Sequence, residues 1–234
     1  MIRAFALTGC LIATALATAS AAPASYVAEY DVFRNGSALG ALVVRVEPAD
    51  DGLWRMASQT RGTRGMASLA NVEVDETSMF RWDASGIEAV RYDYHQSAVG
   101  RSRARSLEVD AAAGRVVSTD RGDSTTLPHT AGVLDRHILP LAIAGDLSAG
   151  RSGELRYHVA DRGEVSEHVY QVVGPERLDL DGRGLDTVRV ERHRDDSDRV
   201  TVLWLDPAQG HLPVKVRQNE GRHVMESRLR RVQR

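Results

Sequence analysis

Cysteine is almost missing from this chain. The single one, Cys10, lies in an apolar N-terminal run, so everything after it lacks a thiol nucleophile, a disulfide or a thiolate metal site. Lysine is as scarce: among 30 basic residues only Lys215 is one, and the arginines are scattered over nearly every segment. Dispersed arginine facing 32 acids, with a net charge of −2, leaves no electrostatic footprint for nucleic acid. Aromatic residues amount to 5%, so Trp54, Trp82 and Trp204 are expected to be packing residues rather than a sugar platform. After the N-terminus no apolar run approaches the roughly 20 residues that a membrane-spanning helix needs.

The N-terminus has the three parts of an export signal. Arg3 is the positive region, Ala4 to Ala17 the apolar one, and Ala19-Ser20-Ala21 a small-residue cleavage site. Leu7-Thr8-Gly9-Cys10 resembles a lipobox, but it would leave only Ala4 to Leu7 as apolar region and the run continues past Cys10. Cleavage after Ala21 is therefore favoured over lipidation at Cys10. The expectation is a signal peptide over residues 1–21 and a periplasmic or secreted single domain over 22–234, with 145–153 as the best internal seam. Such a domain must be held by core burial alone, and its length suffices for that.

What is present is alternation with a period of two. Tyr26 to Phe33 and Ala38 to Glu47 flank Asn35-Gly36, the strongest short hairpin signal, because both central residues of a type I′ turn need positive φ. Strand-like runs follow at Leu53 to Thr60, Val72 to Trp82, Ile87 to His95, Arg101 to Val109 and Arg115 to Thr119. Between them, Met66 to Leu69 suggests one helical turn. Asp120 to His129 reads as a polar loop. Beyond Gly153 the pattern resumes through Leu155 to Val159, Val165 to Val173, Glu176 to Asp181, Leu185 to His193, Arg199 to Asp206, Leu212 to Gln218 and Arg222 to Val232. An antiparallel sheet of about a dozen strands must curl or split. The fold class expected is mainly β: a large curved antiparallel sheet or open β-barrel with one helical segment packed against it.

That segment is Thr130 to Leu147, where Leu134, Ile138, Leu141 and Ala142 recur at helical spacing. Pro140 should kink or split it. Leu134, Ile138, Leu141 and Ile143 are the candidate ligand-lining residues, beneath the curled sheet; the plainer alternative is that they fill the core.

No catalytic constellation stands out. The eight histidines include no H-E-x-x-H. A three-residue loop at Asp161-Arg162-Gly163 would place His158 and His168 on one wet face, without a third ligand. The aspartates at Asp179-Asp181 and Asp195-Asp196-Asp198 fit turn chemistry better than calcium loops. There is no G-x-S-x-G, and no serine has an identifiable base. Arginines 228, 230, 231 and 234 read as charges that protect a terminal sheet edge.

Several short motifs resemble the bacterial exported family catalogued as Domain of Unknown Function 3108. They are Tyr30 with Gly36 and Gly40, Gly86 followed by Tyr92-Asp93-Tyr94, Leu134-Asp135, and Gly174 before Leu185 to Val190. Trp204-Leu205-Asp206-Pro207 leading to Leu212-Pro213-Val214-Lys215-Val216 completes the set. The resemblance covers most of the chain after the signal and implies an envelope-facing β protein without implying an activity. In outline the family is similar to lipoprotein-carrier folds, in which a curved sheet holds acyl chains beneath a helix.

The leading expectation is a periplasmic or cell-envelope, non-enzymatic binding, carrier or assembly factor with a lipid, another hydrophobic ligand or an envelope protein as partner. An envelope hydrolase acting on glycan or lipid, and a structural subunit of an envelope complex, remain as alternatives. No cofactor, metal, catalytic residue, nucleic acid or transmembrane span is expected. N-terminal sequencing of the protein recovered from a bacterial periplasm should begin at Ala22; retention of residues 1–21 would refute the signal assignment.

Overall fold

The computed structural model describes residues 24–65, 68, 71–83, 86–194 and 198–234. The signal peptide, most of the helical turn at Met66 to Leu69 and the Asp195-Asp196 pair lie outside the described residues. Fifteen strands form one sheet. They are β1 (Tyr26–Arg34), β2 (Ser37–Pro48), β3 (Trp54–Gly62), β4 (Glu73–Asp83), β5 (Gly86–Ala98), β6 (Arg101–Asp110), β7 (Arg115–Asp120) and β8 (Asp123–Pro128), then β9 (Leu134–Asp135), β10 (Glu154–Asp161), β11 (Glu164–Leu180), β12 (Arg183–His193), β13 (Val200–Asp206), β14 (Leu212–Glu220) and β15 (His223–Gln233).

The pairing is a meander in two runs, β1 to β8 and β15 back to β9, joined where β1 pairs with β15. The charged strand β15 is therefore interior to the sheet, and the edges are β8 and β9. This corrects the edge-protecting reading of its arginines. Arg230 and Arg231 both pair with Glu29 across the ladder, and Arg228 pairs with Glu226 on its own strand and with Asp181 in the β11–β12 turn, so they neutralise nearby carboxylates.

A sheet this wide has to curl, and its two ends meet. At the β10–β11 turn, the Gly163 N–H donates to the Ser118 hydroxyl on β7 at 2.9 Å, and Arg105 on β6 lies 3.9 Å from the Asp161 carboxylate. Residues 129–138 run between the ends as a strap. Its first part is anchored by Glu88, which accepts from the Gly132 N–H at 3.0 Å and bonds His129 at 2.9 Å. The Val133 carbonyl then accepts from the Ala89 N–H of β5 at 2.9 Å, and Leu134 and Asp135 pair in parallel with Val159 and Ala160 of β10.

The strap leads into α1 (Leu139–Ser148), whose second residue is Pro140. Proline there initiates the helix rather than kinking it, since the first-turn N–H groups have no helical partner anyway. Leu134 and Ile138 consequently precede the helix. Leu139, Leu141, Ala142, Ile143, Ala144 and Leu147 are all buried, so α1 is apolar around most of its circumference, as a helix enclosed by protein must be. Its one carboxylate, Asp146, is met by the Tyr157 hydroxyl at 2.6 Å.

Three further features differ from the sequence pattern. The polar stretch after Asp120 contains β8, because Arg121 and Gly122 adopt positive φ and close a two-residue hairpin. The run from Glu164 to Leu180 is a single strand that passes Gly174 by a bulge at φ 127°. At β10–β11 the turn is Arg162-Gly163 alone, pairing Asp161 with Glu164. The one-residue difference in loop length reverses the faces of β11: His168 now lies opposite Tyr157 and turns inward beside buried Tyr170, while His158 faces out opposite Glu167.

Ile143 of α1 is fully buried in the shared core, whereas Val173 on β11 is 55% exposed. Urea unfolding should show that Ile143→Ala costs about 2–4 kcal/mol, and that Val173→Ala stays within about 0.5 kcal/mol of the wild type.

Candidate functional site

Register places the inward side chains of β2 to β7 in rows. One row runs Val46, Met56, Ser78, Tyr92, Leu107 and Ser118. The next is Val44, Ser58, Glu76, Tyr94, Arg105 and Asp120, and the third holds Leu42, Thr60, Val74, Gln96 and Arg103. Rows are two residues apart, roughly 7 Å along the strands. The first is almost entirely buried, whereas the members of the third are half-buried. Beyond it the inward positions of β2 and β3 are Gly40 and Gly62, which face each other in register and cover nothing. Gly40 is required there, because a Cβ would stand 2.0 Å from the Arg61 carbonyl oxygen.

The strap lays three polar side chains across the first two rows. Asp135 Oδ1 accepts from the backbone N–H groups of His137 at 2.8 Å and Ile138 at 3.1 Å, and this Asx-type turn directs the chain into α1. The same oxygen accepts from the Ser78 hydroxyl at 3.1 Å. Ser78 Oγ is 2.9 Å from His137 Nδ1, and His137 Nε2 is 2.9 Å from Ser58 Oγ. The hydrogens are fixed by counting. Ser78 has one proton and gives it to Asp135, so Nδ1 must carry the imidazole hydrogen and donate to Ser78. Nε2 is then a bare lone pair, and the Ser58 hydroxyl donates to it. Asp135 Oδ2 is buried and has no hydrogen-bond partner among the described residues.

Beside this relay stands a charged cluster. Arg136 donates to Glu76 at 2.8 Å and to the Tyr92 hydroxyl at 2.9 Å, and Tyr92 donates to Glu76 at 2.6 Å. The Arg136 guanidinium lies 5.0 Å from the Tyr94 ring centre and Arg105 lies 5.1 Å from the same ring. Burial opposes ionisation of Glu76, but His137, Arg136 and the Tyr92 hydroxyl outweigh it and hold its carboxyl below the usual range. Burial dominates for the other two groups. It lifts Asp135 to about 7 against the hydrogen bonds it accepts, and depresses His137 to about 4 despite Glu76. Near neutral pH the imidazole is uncharged.

The sequence-derived lining residues sit deep in the core: Leu134 is 1% exposed, Ile138 0%, Leu141 5% and Ile143 0%. Leu134 and Ile138 flank the Asp135-to-His137 strap, and Leu141 and Ile143 belong to α1. Sequence reasoning found no base for a serine, and the structure supplies one: His137 is 79 positions from Ser58. A usable signal did exist. Ser58 stands in phase with Met56, and Glu76 and Ser78 with Phe80, so polar residues occupy positions where the alternation demands apolar ones. Among the described residues no three His, Cys, Asp or Glu side chains gather to hold a metal ion. Gly182 N–H bonds Asp179 Oδ1 at 2.9 Å, the turn role expected of that aspartate. A groove of about 490 Å3 lies mainly on the outer face of the same strands, along Asp75, Thr77, Asp93, His95, Ser106 and Thr119.

Residues 25–221 match the family model for "Protein of unknown function (DUF3108)". No curated protein matches the chain. Among solved structures it resembles a β-barrel-like protein of the domain of unknown function DUF1849 from Brucella abortus. The two share 13% identity with a TM-score of 0.56, over 89% of this chain and 96% of that one. At that identity the likeness is one of fold alone.

Asp135 and His137 act on stability in opposite directions over nearly the same pH range. The folded carboxyl is raised from 3.8 to about 7, so its contribution is full below pH 3.8 and is lost as pH rises to 7. The folded imidazole is lowered from 6.5 to about 4, so its contribution is full above pH 6.5 and is lost as pH falls to 4. At about 1.4 kcal/mol per pK unit each arm is worth on the order of 4 kcal/mol, and the two offset each other. Unfolding measured from pH 4 to 7 should show Asp135→Asn losing stability on acidification and His137→Gln losing it on alkalinisation. Parallel profiles for the two variants would refute the buried opposition.

Proposed function

We propose, for a chain that belongs to the DUF3108 family, that it is a binding protein of the bacterial envelope whose ligand is amphiphilic and enters at the glycine-lined end of the curled sheet. The observation that carries this is the change of character along the inner wall. Gly40 and Gly62 leave the Leu42-to-Arg103 row half-buried, so Leu42 and Val74 offer apolar surface directly beside Thr60, Gln96 and Arg103. An acyl chain against the first pair loses water contact, at about 25 cal/mol per Å2 buried. Its polar end meets donors of the second group. Export by the N-terminal signal belongs to the same reading, as does a role in carriage or assembly rather than in one isolated reaction.

A second reading has α1 shift off the sheet so that a hydrophobic ligand lies between the two, lined by Leu134 and Ile138 of the strap and Leu141 and Ile143 of α1. It is favoured by the helix being apolar on most sides, so that the shift breaks only two side-chain bonds from α1 to the sheet side, Asp146–Tyr157 and Ser148–His211, among the described residues. Hydrogen exchange separates the two: ligand accelerates exchange of the α1 amides only if α1 withdraws.

Titration with a fluorescent fatty acid tests the site. Saturable binding is expected, and Leu42→Arg and Val74→Arg should weaken it about 10-fold or more while keeping the wild-type unfolding midpoint; an unsaturable signal, or arginine variants that bind like the wild type, would overturn the reading.

A further inference from the structure

We propose that Ser58 is a nucleophile toward carboxylic esters of apolar acids, with His137 as its general base and the Ser78–Asp135 pair as positioning residues. The substrate class rests on the amphiphile reading above; the nucleophile itself rests on the relay.

Several features distinguish this relay from a histidine that is merely satisfied in a core. Its three hydrogen bonds run in one direction, from the Ser58 hydroxyl through the ring and Ser78 to Asp135, so the basic lone pair faces the outermost hydroxyl. That is the polarity of nucleophile, base and orienting group. Ser58 is also the one member that is half-buried; Ser78 is 0% exposed, Asp135 0% and His137 8%. It occupies the row beneath Leu42 and Thr60, where the carbonyl of an ester whose chain lies on Leu42 and Val74 would arrive. The imidazolium formed on proton uptake has Glu76 as a nearby anion, directly opposite Ser58 in the ladder. Finally, Asp135 keeps one buried oxygen without a hydrogen-bond partner among the described residues, which a purely structural network would be expected to satisfy.

In the reaction, the Ser58 proton passes to His137 Nε2 as Oγ bonds the ester carbonyl carbon, and the carbonyl pair moves onto oxygen. Arg136, held by Glu76, is the cation the cluster offers to that oxyanion. Collapse breaks the bond to the alkoxide, which takes the proton from Nε2. Water then attacks the acyl-Ser58, again giving its proton to Nε2, and releases the acid with Oγ reprotonated.

The test uses the full chain with a fluorophosphonate probe read by intact mass, and with p-nitrophenyl butyrate turnover. One adduct is expected, on the peptide containing Ser58. Ser58→Ala should lose the adduct and reduce turnover roughly 100-fold or more, with an unchanged circular dichroism spectrum. Ser78→Ala should lower kcat more than KM and displace the pH profile, which for the wild type rises as the general base His137 loses its proton, near pH 4. Wild-type protein that takes no adduct, or takes it at another residue, overturns the proposal. If it still binds the fluorescent fatty acid saturably, the binding reading stands without the catalytic one.

Discussion

The hydrogen bond from Ala89 to the Val133 carbonyl, with the two-residue parallel pairing beyond it, ties the free ends of this sheet across a common interior. With the Gly163–Ser118 bond and the Arg105–Asp161 contact it brings the first run against β10, since the strands are otherwise paired with sequence neighbours or across the β1–β15 join. Once the strap is seated, α1 is delivered inside, and its apolar side chains complete a core that neither run of strands fills alone. In a chain with no disulfide available after Cys10, this burial has to supply the stability that a cross-link would otherwise give.

The same strap imports charge into the interior. Asp135, Arg136 and His137 arrive on consecutive residues and meet Ser78, Glu76, Tyr92 and Ser58 from the sheet. Placing such groups out of water is costly, and the cost is met only because nearly every donor and acceptor is matched. The matching is local in a telling way. Glu76 is ionised against Arg136, while His137 is kept neutral by burial and Asp135 is kept half-protonated near neutrality. Removing one partner strands another, so the cluster specifies the strap's seat more sharply than apolar packing would. The opposite run, from β10 to β14, is mostly apolar where buried, with Leu155, Val159, Val190, Leu203 and Val214 along its strands and Thr187 and Asp206 as buried polar residues.

Much of the fold could be read from period-two alternation and turn residues. Asn35-Gly36 adopts the two positive φ values its hairpin needs, and the strands from β1 to β7 fall where alternation puts them. The misreadings share a cause. Gly163 and Pro140 each admit two local outcomes, and packing chose between them: a two-residue turn in place of three, a helix start in place of a break. Likewise β15 reads as an edge until β1 is known to pair with it.

Alternation by itself determined that this chain is a curled, mostly antiparallel sheet around one apolar segment, because side-chain period and turn chemistry act over a few residues. Only tertiary structure decided that Ser58, Ser78, Asp135 and His137 touch. Their hydrogen bonds join positions up to 79 apart, and no local preference of the backbone encodes a contact between a strand and a strap that crosses it.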